Sequence, residues 1–387
     1  MIGLMAKSRG TTTHTVGQVR EDIDGIANNI KLAFSTGARP HHLIVGGPGG
    51  GKTHTLDAVL ADLHADGVTA LALRPLGLGI GSYTDLLYEA LRAHDPQLAR
   101  TAKRDDPSGQ DLEELIVRSA AGRPILLVLD DIDRIFGGLS RGAQGNLRAW
   151  VETTADVALL ASAEIITDPL SRRSWPWFGS FNVTRLQPLT LDNTTELLGL
   201  HATQSGRTDV LDWLQNPASR GELASLHARF GGAPRIWTTL CAWLLRADNT
   251  PPDGIDQCGW AVLDQLTPYY LPRLRALSPL SARLILALAR SDGPMTVNDL
   301  AHEIAVTNQN AAAALGRMIP NGWVTREKPP RTTDQRSSLY DIADPAMREY
   351  IRMRDFPRSS TEHREPPWPI SRAPLPVTSG LSGRLPT

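Results

Sequence analysis

The sequence predicts a doubly wound α/β domain on a parallel sheet, followed by an all-helical segment and a helix-turn-helix module. Three observations carry this reading. Short apolar runs alternate with amphipathic stretches through the first half of the chain. One of these runs enters a glycine-rich loop that leads directly into a helix-patterned stretch. Another, Ile125–Leu129, is wholly apolar, which marks an internal strand of a parallel sheet.

Taken in order, residues 1–18 are small and polar and read as a flexible lead-in. Val19–Phe34 sets apolar residues at helical spacing, with acids in its first turn. His42–Val45 is a short buried strand running into the glycine loop, Thr53–Ala65 a helix, and Val68–Leu73 a second strand. Helices follow at Tyr83–Ala93 and Leu112–Ala120 before the third strand, Ile125–Leu129. Ala143–Thr154 is amphipathic, and strands recur at Val157–Ala161 and Phe181–Leu186, which completes a core over residues 19–189.

Residues 190–248 change character. Asp192–His201, Val210–Leu214, Gly221–Phe230 and Pro234–Leu245 are all helical in pattern, so a small all-α domain is expected. The breaker-rich Asn249–Gly254 is a linker into a module spanning 249–355. There Leu280–Ala289, Val297–Ile304 and Gln309–Met318 have the order and lengths of a helix-turn-helix. Trp323–Arg326 and Ser338–Ile342 read as two strands joined by the loop Lys328–Arg336, and Asp344–Arg354 as a final helix. The Pro- and Ser-rich stretch 356–387 is expected to be disordered.

Composition sets bounds on function. No apolar run approaches the roughly 18–20 residues a membrane helix needs, and the N-terminus lacks the apolar region of a signal peptide. Cys241 and Cys258 offer neither a disulfide framework nor a metal spacing, and read as thiols in a reducing cytoplasm. With a net charge of −1, any nucleic-acid contact must come from a local patch.

The chemistry centres on Gly46-Gly47-Pro48-Gly49-Gly50-Gly51-Lys52-Thr53, with His54 next in line. Its glycines allow successive backbone N–H groups to point at phosphate oxygens, and the helix that follows adds the positive end of its dipole. Lys52 supplies a charge for the outer phosphates, and the Thr53 hydroxyl is placed to hold Mg²⁺. A turn that merely joins strand to helix is the competing reading. Strand, loop, Lys-Thr pair and helix together favour the phosphate loop, with ATP or GTP as ligand. The third strand ends in Asp130-Asp131, at the sheet edge where open α/β folds bind ligands. Asp130 is the candidate Mg²⁺ ligand and Asp131 the group that orients or deprotonates the attacking water, against the alternative of a strand capped by solvated acids. Asp133 reads as a helix cap or surface acid.

These pieces resemble the AAA+ ATPases and the related STAND NTPases over roughly residues 20–247, nearest to the origin-recognition (initiator) and archaeal-type ATPases that end in a winged helix. The resemblance implies an α-helical lid at 190–248, ATP rather than GTP, and a polar sensor at the end of the fourth strand, where Ser162 stands. It also implies a sensor arginine in a Gly-x-Pro-Arg context, matched by Gly232-Ala233-Pro234-Arg235, and an arginine finger ahead of the fifth strand, where Arg172 and Arg173 lie. Many AAA+ enzymes carry Glu where this chain has Asp131. The shorter side chain, shared with STAND ATPases, implies slow, switch-like hydrolysis.

The C-terminal module resembles a winged helix. From Pro268 to Asp355 it carries twelve Lys/Arg against nine Asp/Glu, a net of +3. Asn308, Gln309, Asn310 and Arg317 are candidates for reading base edges of double-stranded DNA, and Lys328, Arg331 and Arg336 for touching phosphates. Four consecutive alanines thin that footprint, so a protein-docking or autoinhibitory winged helix stays open as the alternative.

Overall fold

The computed structural model describes residues 17–36, 41–68, 70–77, 79–154, 157–246, 256–328 and 338–355. The calls on the N-terminal stretch to residue 16, the linker at 249–254 and the tail from 356 lie outside them.

The chain opens with α1 (Gly17–Thr36), whose Ile23, Ile26, Ala27 and Ile30 recur at helical spacing and are buried. Next come β1 (His41–Val45), α2 (Lys52–Ala65), β2 (Leu71–Leu73), α3 (Tyr83–His94), α4 (Pro96–Arg104) and α5 (Gly109–Ala120). They lead to β3 (Ile125–Leu129), α6 (Ile132–Gly138), α7 (Arg141–Thr153), β4 (Val157–Ala163), α8 (Asp168–Ser171) and β5 (Phe181–Arg185). The strands form one sheet in the order β2-β3-β4-β1-β5, every described pair parallel. Its central strands β1, β3 and β4 are buried along their whole length, which explains why β3 reads as an unbroken apolar run and the other two as largely apolar.

Side chains alternate across the sheet with the two-residue period of a strand. Leu43, Val45, Leu127, Leu129, Leu159 and Ala161 face α3, α5 and α7, while Ile44, Leu126, Val128, Ala158 and Leu160 face α1 and α2. Two cores thus sandwich one sheet, and all five strands end at the same edge.

The lid comprises α9 (Leu191–Gln204), α10 (Thr208–Gln215), α11 (Pro217–Phe230) and α12 (Pro234–Leu244). Beyond it run α13 (Asp256–Gln265), α14 (Thr267–Arg275), α15 (Pro279–Arg290), β6 (Met295–Thr296), α16 (Val297–Glu303), α17 (Asn308–Met318), β7 (Val324–Glu327), β8 (Leu339–Ile342) and α18 (Pro345–Asp355). β7 and β8 pair antiparallel, β6 joins them in the order β6-β8-β7, and the result is a winged helix. One hydrophobic cluster runs unbroken from Leu189 through Trp237 and Tyr270 to Ile351, so lid and winged helix share a core.

Several elements went unread in the sequence. In α4 only Ala99 and Ala102 are buried, too few for an apolar stripe, although Asp95 caps the helix and Pro96 starts it. The helices α13 and α14, which seat the winged helix on the lid, also went unread, although Val262, Leu263 and Tyr270 are buried in the shared core. The second strand shortens from the expected Val68–Leu73 to Leu71–Leu73, where pairing with β3 begins at Ile125.

Candidate nucleotide-binding site

β1 lies between β4 and β5, so the loop that follows Val45 emerges beside Ala163 and Arg185. Gly46 is pinned there by its N–H donating to the carbonyl of Ala163 at 3.2 Å. The chain then turns through Gly47, Pro48 and Gly49, and Gly50 N–H closes the turn on Gly47 O at 3.0 Å. Gly49 (φ 72) and Gly51 (φ 89) occupy the left-handed region that glycine enters without steric cost. At Gly50 the limit is space, since a Cβ would sit 2.9 Å from the carbonyl oxygen of Gly47. The ammonium of Lys52 folds back over the loop and donates to the carbonyls of Gly46 and Gly47 at 3.1 and 3.4 Å. Thr53 and His54 stand exposed on the first turn of α2.

Because β3 lies next to β4 in the sheet, Asp130 at the end of β3 faces this turn. Thr53 Oγ1 donates to its Oδ2 at 2.8 Å, and Ser162 Oγ donates to its Oδ1 at 2.5 Å. Arg74, just past β2, reaches the same Oδ2 at 3.2 Å and also pairs with Asp57 of α2. Burial alone would raise the Asp130 carboxyl. The hydrogen bonds from Ser162 and Thr53 and the charge of Arg74 outweigh it and hold the group below the usual carboxylate range.

Asp131 adopts φ 56, ψ 51, a left-handed conformation rare outside glycine, at the junction of β3 and α6. Its N–H donates to Ser162 Oγ at 3.0 Å, while its carboxylate makes no hydrogen bond among the described residues. The Ser162 hydroxyl therefore spends its one proton on Asp130 and accepts from Asp131. It stands next to last in β4, the expected strand end, is fully buried, and bridges the two acids. Of the two readings of Asp133, helix cap or surface acid, the structure sets it in the first turn of α6 and half-buried. Burial, reinforced by the charge of Asp131, pushes its carboxyl above the usual range, and hydrogen bonds from its own backbone and that of Glu164 offset only part of this.

The lid reaches the loop through α12. The N–H of Arg235 donates to Gly49 O at 3.1 Å, and its guanidinium lies over the ring of Tyr269 on α14, 4.1 Å from the centroid. Arg172 and Arg173 follow α8, both exposed, and Arg172 pairs with Asp168 at 3.0 Å. Neither bonds to the loop among the described residues. Arg74 and Tyr269 had no signal in the sequence, since neither lies in a motif and each meets the site only through the fold.

On the winged helix, Asn308, Gln309, Asn310 and Arg317 are exposed along α17. The alanine run divides, with Ala311 and Ala314 in the core and Ala312 and Ala313 at the surface. Asn308 Nδ2 donates to Asn298 Oδ1 at 3.1 Å, which steadies it against α16. Lys328 is exposed at the end of β7, while Arg331 and Arg336 lie outside the described residues.

Comparison with known proteins bears on this architecture. Residues 277–334 match the model of the MarR family. No curated protein sequence matches the chain. Among solved structures, the ORC2 protein of Aeropyrum pernix in its ADPNP-ADP complexes superposes with a TM-score of 0.61 at 14% identity, covering 89% of this chain and 96% of that one. Its ADP form gives a TM-score of 0.54 at 13% identity, over 90% and 97% of the two chains. Among the described residues, no helix is long and apolar enough to cross a membrane. The chain shares the fold of the Aeropyrum pernix ORC2 protein, a parallel sheet followed by a helical segment, and carries a MarR-type winged helix at residues 277–334.

Proposed function

We propose that this protein is an ATP-binding switch with slow hydrolysis, whose nucleotide state gates the binding of double-stranded DNA through its winged helix. The observation that carries this reading is the hydrogen bond from Arg235 of the lid to Gly49 of the loop at 3.1 Å. That bond links the loop to the lid, and the lid shares its core with the winged helix, which supports a coupling between them.

The residues fit a Mg²⁺-nucleotide. Gly46–Thr53 forms a cup that a Cβ at Gly50 would fill, and Lys52 supplies the cation for the outer phosphates. Thr53 Oγ1 and Asp130 Oδ2, 2.8 Å apart, form the hard oxygen pair that Mg²⁺ takes alongside phosphate and water. Bound there, the ion would neutralise phosphate charge. Asp131, whose carboxylate is unspent, would orient the attacking water. Its short side chain favours slow turnover. Arg235 would sense the γ-phosphate from the lid. Arg172 and Arg173 remain the positions for an arginine finger, should the chain assemble.

The winged helix offers Asn308, Gln309, Asn310 and Arg317 to base edges and Lys328, Arg331 and Arg336 to phosphates. A second reading, a STAND-like switch whose winged helix restrains the ATPase, draws support from the ion pair between Arg273 of α14 and Glu164 of the core at 2.7 Å.

ATPase rates of the wild type and Lys52→Ala, each with and without duplex DNA, separate these readings. DNA stimulation that vanishes in Lys52→Ala is expected. Binding of duplex at low salt that weakens with added salt, and further with Arg331 and Arg336 replaced, is the companion result. Absence of DNA binding at low salt would refute the DNA-gated reading and leave the restrained switch.

A further inference from the structure

The sensor arginine does not stand alone. We propose that Tyr269, contributed by the C-terminal module, is the positioning residue that holds Arg235 ready for the γ-phosphate, so that nucleotide affinity reports the seating of that module. The inference rests on the sensor reading of Arg235 above and extends it to a residue outside every motif.

Three observations and one principle support it. The Arg235 guanidinium lies over the Tyr269 ring at 4.1 Å, closer than the 5.5 Å of Arg229 over Phe230 or the 5.6 Å of Arg273 over Tyr269. It makes no hydrogen bond or ion pair among the described residues, so the ring is its one described anchor. A guanidinium held over a ring, with no carboxylate or carbonyl on its N–H groups, keeps those donors for an anion. Its backbone is meanwhile fixed to Gly49 at 3.1 Å, so the ring decides where the end of the side chain goes.

Tyr269 is itself held. Arg273, one helical turn further along α14, donates to its hydroxyl at 3.0 Å and to Glu164 Oε1 at 2.7 Å, two residues past Ser162. The same guanidinium lies 5.2 Å from the ring of Trp323, the residue before β7. A contiguous row therefore runs from the wing through Arg273, Tyr269 and Arg235 to the phosphate loop. A ligand that shifts the winged helix moves Tyr269 away from Arg235, and by linkage a nucleotide that engages Arg235 favours the seated module.

The test measures affinities of the full-length protein for ADP and the non-hydrolysable triphosphate ADPNP, both with Mg²⁺, by titration calorimetry. Tyr269→Leu keeps apolar volume but removes the π face, and should weaken ADPNP about five-fold while ADP stays within about two-fold. Tyr269→Phe keeps the face and should restore the wild-type ratio. Arg235→Ala should lose the same discrimination, and adding Tyr269→Leu to it should cost nothing further. Thermal melts establish that each variant is folded. If Arg235→Ala loses discrimination and Tyr269→Leu does not, Tyr269 is no positioning residue and the sensor reading stands. If neither variant loses it, both readings fall together. A Phe variant as defective as Leu would assign the effect to the Arg273 hydrogen bond and overturn the proposal.

Discussion

Ser162→Ala separates two roles that sequence alone cannot tell apart. As a sensor facing the nucleotide, the hydroxyl would matter to turnover and little to the unliganded fold. As placed here, it is fully buried, donates to Asp130 Oδ1 at 2.5 Å and accepts from Asp131 N–H at 3.0 Å. Alanine removes a hydrogen bond to a carboxylate and leaves the half-buried Asp131 N–H without its acceptor, together worth about 2–4 kcal/mol. For a domain of this size that is roughly a 4–12 °C fall in Tm without any ligand. Part of the loss should depend on pH. The folded pKa of Asp130 is depressed, so its contribution is present above the unfolded carboxylate pKa and lost as pH falls through the folded value. In the variant that depression shrinks, so the deficit should be largest near neutrality and narrow below about pH 4, leaving the share from the stranded N–H. Chemical denaturation of the unliganded protein across this range measures both parts. A variant as stable as wild type but slow in ATP hydrolysis would refute the placement.

Three further outcomes follow from the same geometry. Arg74→Ala removes a positive charge 3.2 Å from Asp130 Oδ2, and should lower the Mg²⁺ concentration needed for nucleotide binding by about 3–10-fold, read from a Mg²⁺ titration. Gly49→Ala must accept φ 72 and a Cβ 2.9 Å from Arg235 Cβ, so we expect a loss of about 1–3 kcal/mol in stability with weakened nucleotide affinity, measured by melting and calorimetry. Burial pushes the Cys241 thiol up to about 12, so an alkylating reagent at pH 8 should leave it unmodified until denaturant is added, as mass spectrometry would show.

Much of the core was legible because its signals are local. A glycine loop between an apolar strand and a helix is a contiguous steric pattern, and Gly46–Thr53 takes the expected turn with Gly49 and Gly51 at positive φ. Ile125–Leu129 is apolar throughout because both its faces are covered, and its acids stand at the sheet edge. α17 was legible for a similar reason, with Ala311, Ala314 and Leu315 at helical spacing giving away its inner face.

The remainder depended on strand order and on packing between segments far apart in the chain. Placing β3 between β2 and β4 is what brings Arg74 and Ser162 to opposite oxygens of Asp130, 56 and 32 residues away. No local pattern encodes that neighbourhood, so Ser162 was readable as a polar residue near a strand end but not as the clamp on two acids. The half-burial of Asp133 in the first turn of α6 went unread for the same reason. By itself, then, the sequence determined the loop, the strands and the helical faces, because sterics and the periodicity of burial act over a few residues. Only the tertiary structure decided that Tyr269 of the C-terminal module lies against Arg235 beside the phosphate loop, because a cation finds its aromatic partner through space and not along the chain.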